Sequence, residues 1–113
     1  MSVSTPKIFG QSKPTDTVTP SVLYTVSTNT SAQVTLFVCN QSSDVEFFQI
    51  ALVPAGGTLT PPTGQIRYLA YDSPLAGNGV FSVSGIGVTQ GDSIYVKSAY
   101  GNLSFTATGI QLS

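Results

Sequence analysis

Alternation of apolar and polar positions predicts β-strands along most of the chain. In residues 33–40, Val34, Leu36 and Val38 fall on one face and Phe37 falls on the other. Both faces of this segment are largely apolar, which is typical of a central strand. Residues that favour strands, the β-branched and aromatic types, mark further predicted strands at residues 22–26, 45–53, 65–71, 79–84, 93–99 and 103–108.

Turn-forming residues separate the predicted strands at intervals of roughly ten residues, and helical periodicity is absent. Such spacing predicts an all-β fold, a compact antiparallel β-sandwich of about 7–8 strands. The sandwich is expected to be jelly-roll-like or immunoglobulin-like. The Cys–Trp–Cys signature of antibody domains is missing, because the chain has one cysteine and no tryptophan.

The first 20 residues differ from the rest and are interpreted as an extended N-terminal arm, with the sandwich domain spanning residues 21–113. The segment contains three prolines, Pro6, Pro14 and Pro20. Proline fixes φ and cannot donate to a sheet ladder. Ile8 and Phe9 form an apolar pair beside Lys7, and these three residues are candidate contacts with a neighbouring subunit. The alternative is a mobile terminus without a partner.

Residues 54–64 (PAGGTLTPPTG) form the longest predicted loop, with three prolines and three glycines. Long loops rich in these residues project from the surface and often carry function. Pro54, Gly57, Pro61 and Pro62 are therefore the candidate residues of an exposed loop.

Composition excludes several classes of protein. Nine residues in 113 are charged, or 8%, whereas a soluble domain typically carries about 25%. The four basic residues are scattered and make no patch for nucleic acid. Apolar runs are too short to span a membrane, and no apolar segment of a signal peptide is visible. A surface with few charges and 29 Ser and Thr residues is poorly protected against association, which favours coverage by partners.

Chemistry-bearing residues are few. The chain has no histidine, and its lone Cys39 lies in an apolar strand, where a buried, inert thiol is expected. Asp44 and Glu46 are two residues apart and would share one face of a strand. Such a pair can serve glycoside hydrolysis or bind calcium, but a solvated strand edge is favoured. Asp92 follows Gly91 at a turn and is expected to bind backbone N–H groups.

These observations predict a protein that is not an enzyme and that uses no cofactor and no metal. Tyrosine offers the remaining possibility, since aromatic faces stack on sugars and β-sandwiches are frequent lectin scaffolds. The alternative explanation is that tyrosine is simply common in strands. The five candidates are Tyr24, Tyr68, Tyr71, Tyr95 and Tyr100.

An ordered set of segments resembles a known family. The segments are residues 23–26, 31–40, 47–56, 68–75, 91–96 and 102–105, and the likeness covers residues 8–107. They are similar to small virion structural proteins of tailed phages, especially phages that infect cyanobacteria and other aquatic bacteria. The resemblance implies a role in the virion and carries over no active residues. It leaves open whether the protein decorates the capsid, joins the tail or forms part of a fibre.

The leading expectation is a capsid decoration, or cement, protein that binds the outer shell and bridges capsid subunits. Its expected partners are the major capsid protein and copies of itself, as a trimer, with no nucleic acid and no membrane. The expected location is the virion, after assembly in the host cytoplasm. A tail, baseplate or fibre component is the first alternative, and a carbohydrate-binding module for host attachment is the second.

Overall fold

The computed structural model describes residues 4–57 and 67–113. Strand-forming segments occupy most of these residues, as the alternating pattern predicts. The strands are β1 (Ser4–Ser12), β2 (Ser21–Thr25), β3 (Ser31–Asn40), β4 (Glu46–Val53), β5 (Arg67–Leu75), β6 (Val80–Thr89), β7 (Ser93–Ser98) and β8 (Leu103–Leu112).

The strands form two four-stranded antiparallel sheets. Sheet A has the order β1-β8-β3-β6, and sheet B has the order β2-β7-β4-β5. Every connection except β4–β5 therefore crosses from one sheet to the other. Eight strands in this order make the two Greek keys of a jelly roll. The prediction of an all-β antiparallel sandwich is confirmed. Of the two expected arrangements, jelly-roll-like and immunoglobulin-like, the strand order is that of a jelly roll.

The core lies between the two sheets and is built from alternate residues of each strand. Val34, Leu36 and Val38 of β3 are at most 1% exposed, and they face Ile50 and Ile94 of sheet B across the core. β3 pairs with β8 on one side and β6 on the other, so it is the central strand that its sequence predicts. Its second apolar face lies on the outside of sheet A.

Two strands continue through residues that the sequence predicts to be turns. Residues 72–78 and 85–91 are rich in turn formers, yet β5 extends to Leu75 and β6 extends to Thr89. The register shifts inside both strands, where Asp72 and Gly85 adopt positive φ angles of 49° and 75°. Left-handed residues of this kind form bulges, which bend a strand without ending it.

The N-terminal segment is extended as predicted, but it belongs to the sandwich. Ser4–Ser12 pairs with β8 along its length as the edge strand of sheet A. The prediction of an arm apart from the sandwich is therefore wrong for β1. Proline is tolerated in an edge strand, whose outer side needs no ladder hydrogen bond, so Pro6 does not exclude one.

Gly10 lets β1 approach β2 at the edge of the sandwich. A Cβ atom on Gly10 would collide with the carbonyl oxygen of Leu23. The preceding residue, Phe9, packs against the core, and its ring centroid lies 4.6 Å from that of Tyr24. Strands β1 and β2 thus close one side of the sandwich, joining sheet A to sheet B.

Candidate functional site

Glu46 has a structural role that its sequence context does not predict. Its side chain is fully buried, so the expected solvated strand edge is wrong for this residue. The carboxylate accepts hydrogen bonds from the Ser98 hydroxyl, from the Tyr100 N–H at 2.9 Å and from the Asn102 N–H at 3.2 Å. Asp44 precedes the strand and is exposed. The two carboxylates therefore do not share a strand face and make no acid–base pair.

Asn40 ties the β3–β4 and β5–β6 connections together at the same end of the sandwich. Its amide nitrogen donates to the carbonyl oxygens of Asp44, Leu75 and Ala76 at 2.8–3.2 Å. Its amide oxygen accepts from the backbone N–H of Ser42 at 3.0 Å. Asn40 and Glu46 together hold three connections of this end, which makes it a rigid scaffold rather than a reactive site.

Two further carboxylates bind backbone groups. Asp92 accepts from the N–H of Ala55 at 3.0 Å and from the N–H of Thr89 at 2.9 Å, which confirms its predicted structural role. In the β1–β2 connection, the N–H groups of Thr19 and Val18 hold the pKa of Asp16 below its ordinary value. Within residues 4–57 and 67–113, the structure has no group of three or more His, Cys, Asp or Glu side chains that could hold a metal ion.

Cys39 is a free, half-buried thiol. The expectation of a buried thiol is wrong, because Cys39 is only half-buried on the outward face of β3. Its cross-strand partners are Ser104 of β8 and Val80 of β6. Strand alternation explains the placement, since Val38 on the opposite face fills the core.

The outside of sheet A is an uncharged surface, which we call the neutral face. Its outward positions on β1, β3, β6 and β8 are all described, and none carries a charge. Most are Ser, Thr, Gln or Gly. Among them stand four large apolar side chains that are 42–64% exposed, Ile8, Phe37, Val80 and Ile110.

The neutral face extends across all four strands of sheet A. Ile8 is paired with Thr108, which is paired in turn with Thr35 of β3. Phe37 stands between Thr106 of β8 and Ser82 of β6. Ile8 and Phe37 are thus bordered by hydroxyl groups across the strands. The sequence indicates this surface only through the apolar outward positions of residues 33–40.

The three candidate contact residues of β1 have different environments. Ile8 is 64% exposed and contributes to the neutral face. Phe9 is turned inward against Tyr24 and is not presented to a neighbour. The Lys7 ammonium donates to the Gln111 side-chain oxygen at 3.1 Å, at the edge between β1 and β8.

The candidate exposed loop is described only at its start. Pro54 accepts a hydrogen bond from the Gly57 N–H at 2.9 Å, which closes a tight turn after β4. Pro61 and Pro62 lie outside the described residues.

The five tyrosines do not form one surface. Tyr68 and Tyr71 are exposed and touch each other, and Tyr95 lies on the same outer face of sheet B. Tyr24 is turned toward the core, where its hydroxyl is buried without a hydrogen-bond partner and burial raises its pKa. Tyr100 is exposed in the β7–β8 connection at the end of the sandwich.

Comparison with known proteins adds no relative. No protein-family model and no curated protein matches the chain. Among the residues that the structure describes, no helix is long and apolar enough to cross a membrane.

Proposed function

We propose that this chain is a capsid decoration protein of a phage virion, which docks on the outer shell through the neutral face. The observation that carries the proposal is the uncharged, four-stranded surface that exposes Ile8, Phe37, Val80 and Ile110. An uncharged sheet surface with exposed apolar side chains can be buried against a partner without removing a charge from water. The resemblance of the strand segments to phage virion proteins supports the same assignment.

The dimensions of the neutral face suit a protein partner. Four strands about 4.8 Å apart and about 30 Å long present roughly 600 Å² of sheet surface. A stable interface takes about 800 Å² from each partner. The neutral face therefore reaches the lower end of the standard range, which is about 600 Å² from each partner. Burying it costs little in desolvation, because no charge has to leave water and each hydroxyl can exchange water for a backbone group.

The proposed mechanism is bridging of adjacent capsid subunits without chemistry. The partners are the major capsid protein and further copies of this chain, grouped as a trimer. Hydrogen bonds that the Asn40 amide donates and the Glu46 carboxylate accepts hold the sandwich rigid, so little conformational entropy is lost when its face docks. Repetition over a shell then adds up many modest contacts.

Copy number in purified particles tests the location. Quantitative mass spectrometry against the major capsid protein should give a ratio near a simple integer fraction, with hundreds of copies in each particle. A count of some tens or fewer would move the protein to the tail, baseplate or fibre. Its absence from the particle would overturn the virion assignment.

Point substitutions test the docking face. Removal of the N-terminal segment is unsuitable, because β1 is part of sheet A. Phe37→Lys and Ile110→Lys each place a charge on the neutral face. Each variant should bind at least tenfold more weakly than the unaltered protein to capsid shells from which the decoration protein is missing. Val45→Lys is the matched control, since Val45 is 49% exposed but lies in the β3–β4 connection. Equal binding by all three variants would exclude the neutral face.

A further inference from the structure

Three tyrosines form a strip on the outside of sheet B, opposite to the neutral face. Val22, Tyr95, Ala51 and Tyr68 are paired in register across all four strands of the sheet. Tyr71 meets the ring of Tyr68 edge to face, with 4.8 Å between the ring centroids. We call Tyr95, Tyr68 and Tyr71 the tyrosine strip. Tyr68 is 40% exposed and Tyr71 is 62% exposed, so their rings are open to a ligand.

A row of polar side chains runs beside the tyrosine strip. Gln49 of β4 is paired with Lys97 of β7, one step along the strands from the pair of Ala51 and Tyr95. The amide nitrogen of Gln49 donates to the Asp72 carboxylate at 2.9 Å. Gln49 is only 8% exposed, so this buried amide holds the exposed Asp72 in place. A carboxylate and an amide thus lie beside the aromatic rings.

The backbone of β5 is distorted where these groups meet. Asp72 has a φ of 49°, and the pairing of β4 with β5 shifts register on both sides of Ile50. Bulges of this kind re-aim side chains and are common beside binding sites. Here the bulge brings Tyr71 against Tyr68 and turns Asp72 toward Gln49. A regular strand would send neighbouring residues such as Tyr71 and Asp72 to opposite faces.

We propose that the tyrosine strip with Asp72 and Gln49 is a binding site for neutral hexose glycans. The C–H face of a pyranose ring is apolar and flat, and it packs on an exposed aromatic ring. Sugar hydroxyls both donate and accept, and they need fixed polar partners beside that ring. Asp72 supplies an acceptor, and the Gln49 amide that donates to it holds that carboxylate in place. A neutral glycan fits better than an acidic one, because Asp72 would repel a ligand carboxylate.

This activity goes beyond decoration and does not depend on it. The tyrosine strip and the neutral face lie on opposite sides of the sandwich. A subunit docked through sheet A would therefore still present the tyrosine strip to the surroundings. The isolated protein is expected to bind glycans whether or not it binds a shell.

The test is glycan binding by the purified full chain. Glucose-, galactose- and mannose-based tetrasaccharides serve as probes in an immobilised array, followed by saturation-transfer NMR with those that bind. Tyr68→Ala, Tyr71→Ala and Asp72→Asn should each weaken binding of the best probe by tenfold or more. Tyr100→Ala is the matched control, because Tyr100 is 65% exposed but lies in the β7–β8 connection, and it should bind as the unaltered protein does.

Two results would overturn the inference. One is that no probe, at millimolar concentration, receives saturation from the protein. The other is unchanged affinity in the three strip variants while their urea-unfolding midpoints stay normal, which would place any sugar elsewhere. Phe37→Lys separates this inference from the proposed function, since it should lose shell binding and keep glycan binding.

Discussion

Glu46 at the start of β4 accepts a hydrogen bond from the backbone N–H of Tyr100, 54 residues further along the chain, at 2.9 Å. The same carboxylate accepts from the N–H of Asn102, so it satisfies two backbone donors of the β7–β8 connection. Hydrogen bonds to a charged acceptor are about twice as strong as neutral ones. One side chain thereby joins a strand of sheet B to the turn that leads into sheet A.

Replacing Glu46 by Gln should destabilise the fold strongly. The amide would turn a donor toward backbone N–H groups and lose the charge-assisted bonds, at a cost of about 2–4 kcal/mol in the free energy of unfolding. Urea denaturation followed by circular dichroism measures the change. Asp44→Asn is the control, because Asp44 is exposed and its change should stay within about 0.5 kcal/mol. Equal midpoints for the two variants would contradict this role of Glu46.

Asn40→Ala should lower the free energy of unfolding by about 2–3 kcal/mol, because the carbonyls of Leu75 and Ala76 lose their donor. Amide hydrogen exchange adds a local readout, because protection at Asn78, whose N–H donates to the Ser42 carbonyl, should fall first. Gln41→Ala changes an exposed neighbour and should leave both stability and exchange unaltered. Unchanged protection at Asn78 in the Asn40 variant would show that the amide does not tie the connections together.

Gly10→Ala should destabilise the protein by about 1–3 kcal/mol through overpacking. The new Cβ would collide with the Leu23 carbonyl oxygen, so β1 would have to move away from β2. Gly87→Ala on β6 is a matched glycine control, because nothing lies within 4 Å of its Cβ position. That variant should be neutral or slightly more stable in thermal unfolding. Unchanged stability of the Gly10→Ala variant would mean that β1 and β2 do not approach so closely in solution.

Tyr24→Phe should be neutral or stabilising by up to about 1 kcal/mol, because it removes a buried hydroxyl without a hydrogen-bond partner. Burial raises the pKa of Tyr24 above 10.0, so the folded state resists its ionisation. The associated stability is present below the pKa of the unfolded chain and is lost as pH rises through the higher pKa of the folded state.

Unfolding by urea between pH 8 and pH 12 tests the linkage. The unaltered protein should lose stability at the alkaline end, and Tyr24→Phe should lose less. Tyr100→Phe keeps Tyr24 and changes an exposed ring, so it should follow the unaltered protein. The same alkaline loss in all three proteins would assign that loss to other groups.

Some features follow from sequence because they are local. Alternation in residues 33–40 predicts β3 and its inward face, since the period of two is a property of any strand. Asp92 is predicted correctly because a turn residue binds N–H groups a few positions away. The bulges in β5 and β6 could not be predicted, because the same glycine and aspartate residues serve equally well in turns.

The sequence by itself therefore determined the all-β class, most strands and the scarcity of charge. Only the tertiary structure decided that β1 belongs to sheet A, that Glu46 is buried against the β7–β8 connection and that Tyr68 meets Tyr71. The physical reason is that the alternation of apolar and polar residues reflects only the local geometry of each strand. Strand order decides which distant donors, rings and faces come together, and that order depends on contacts made across the whole chain.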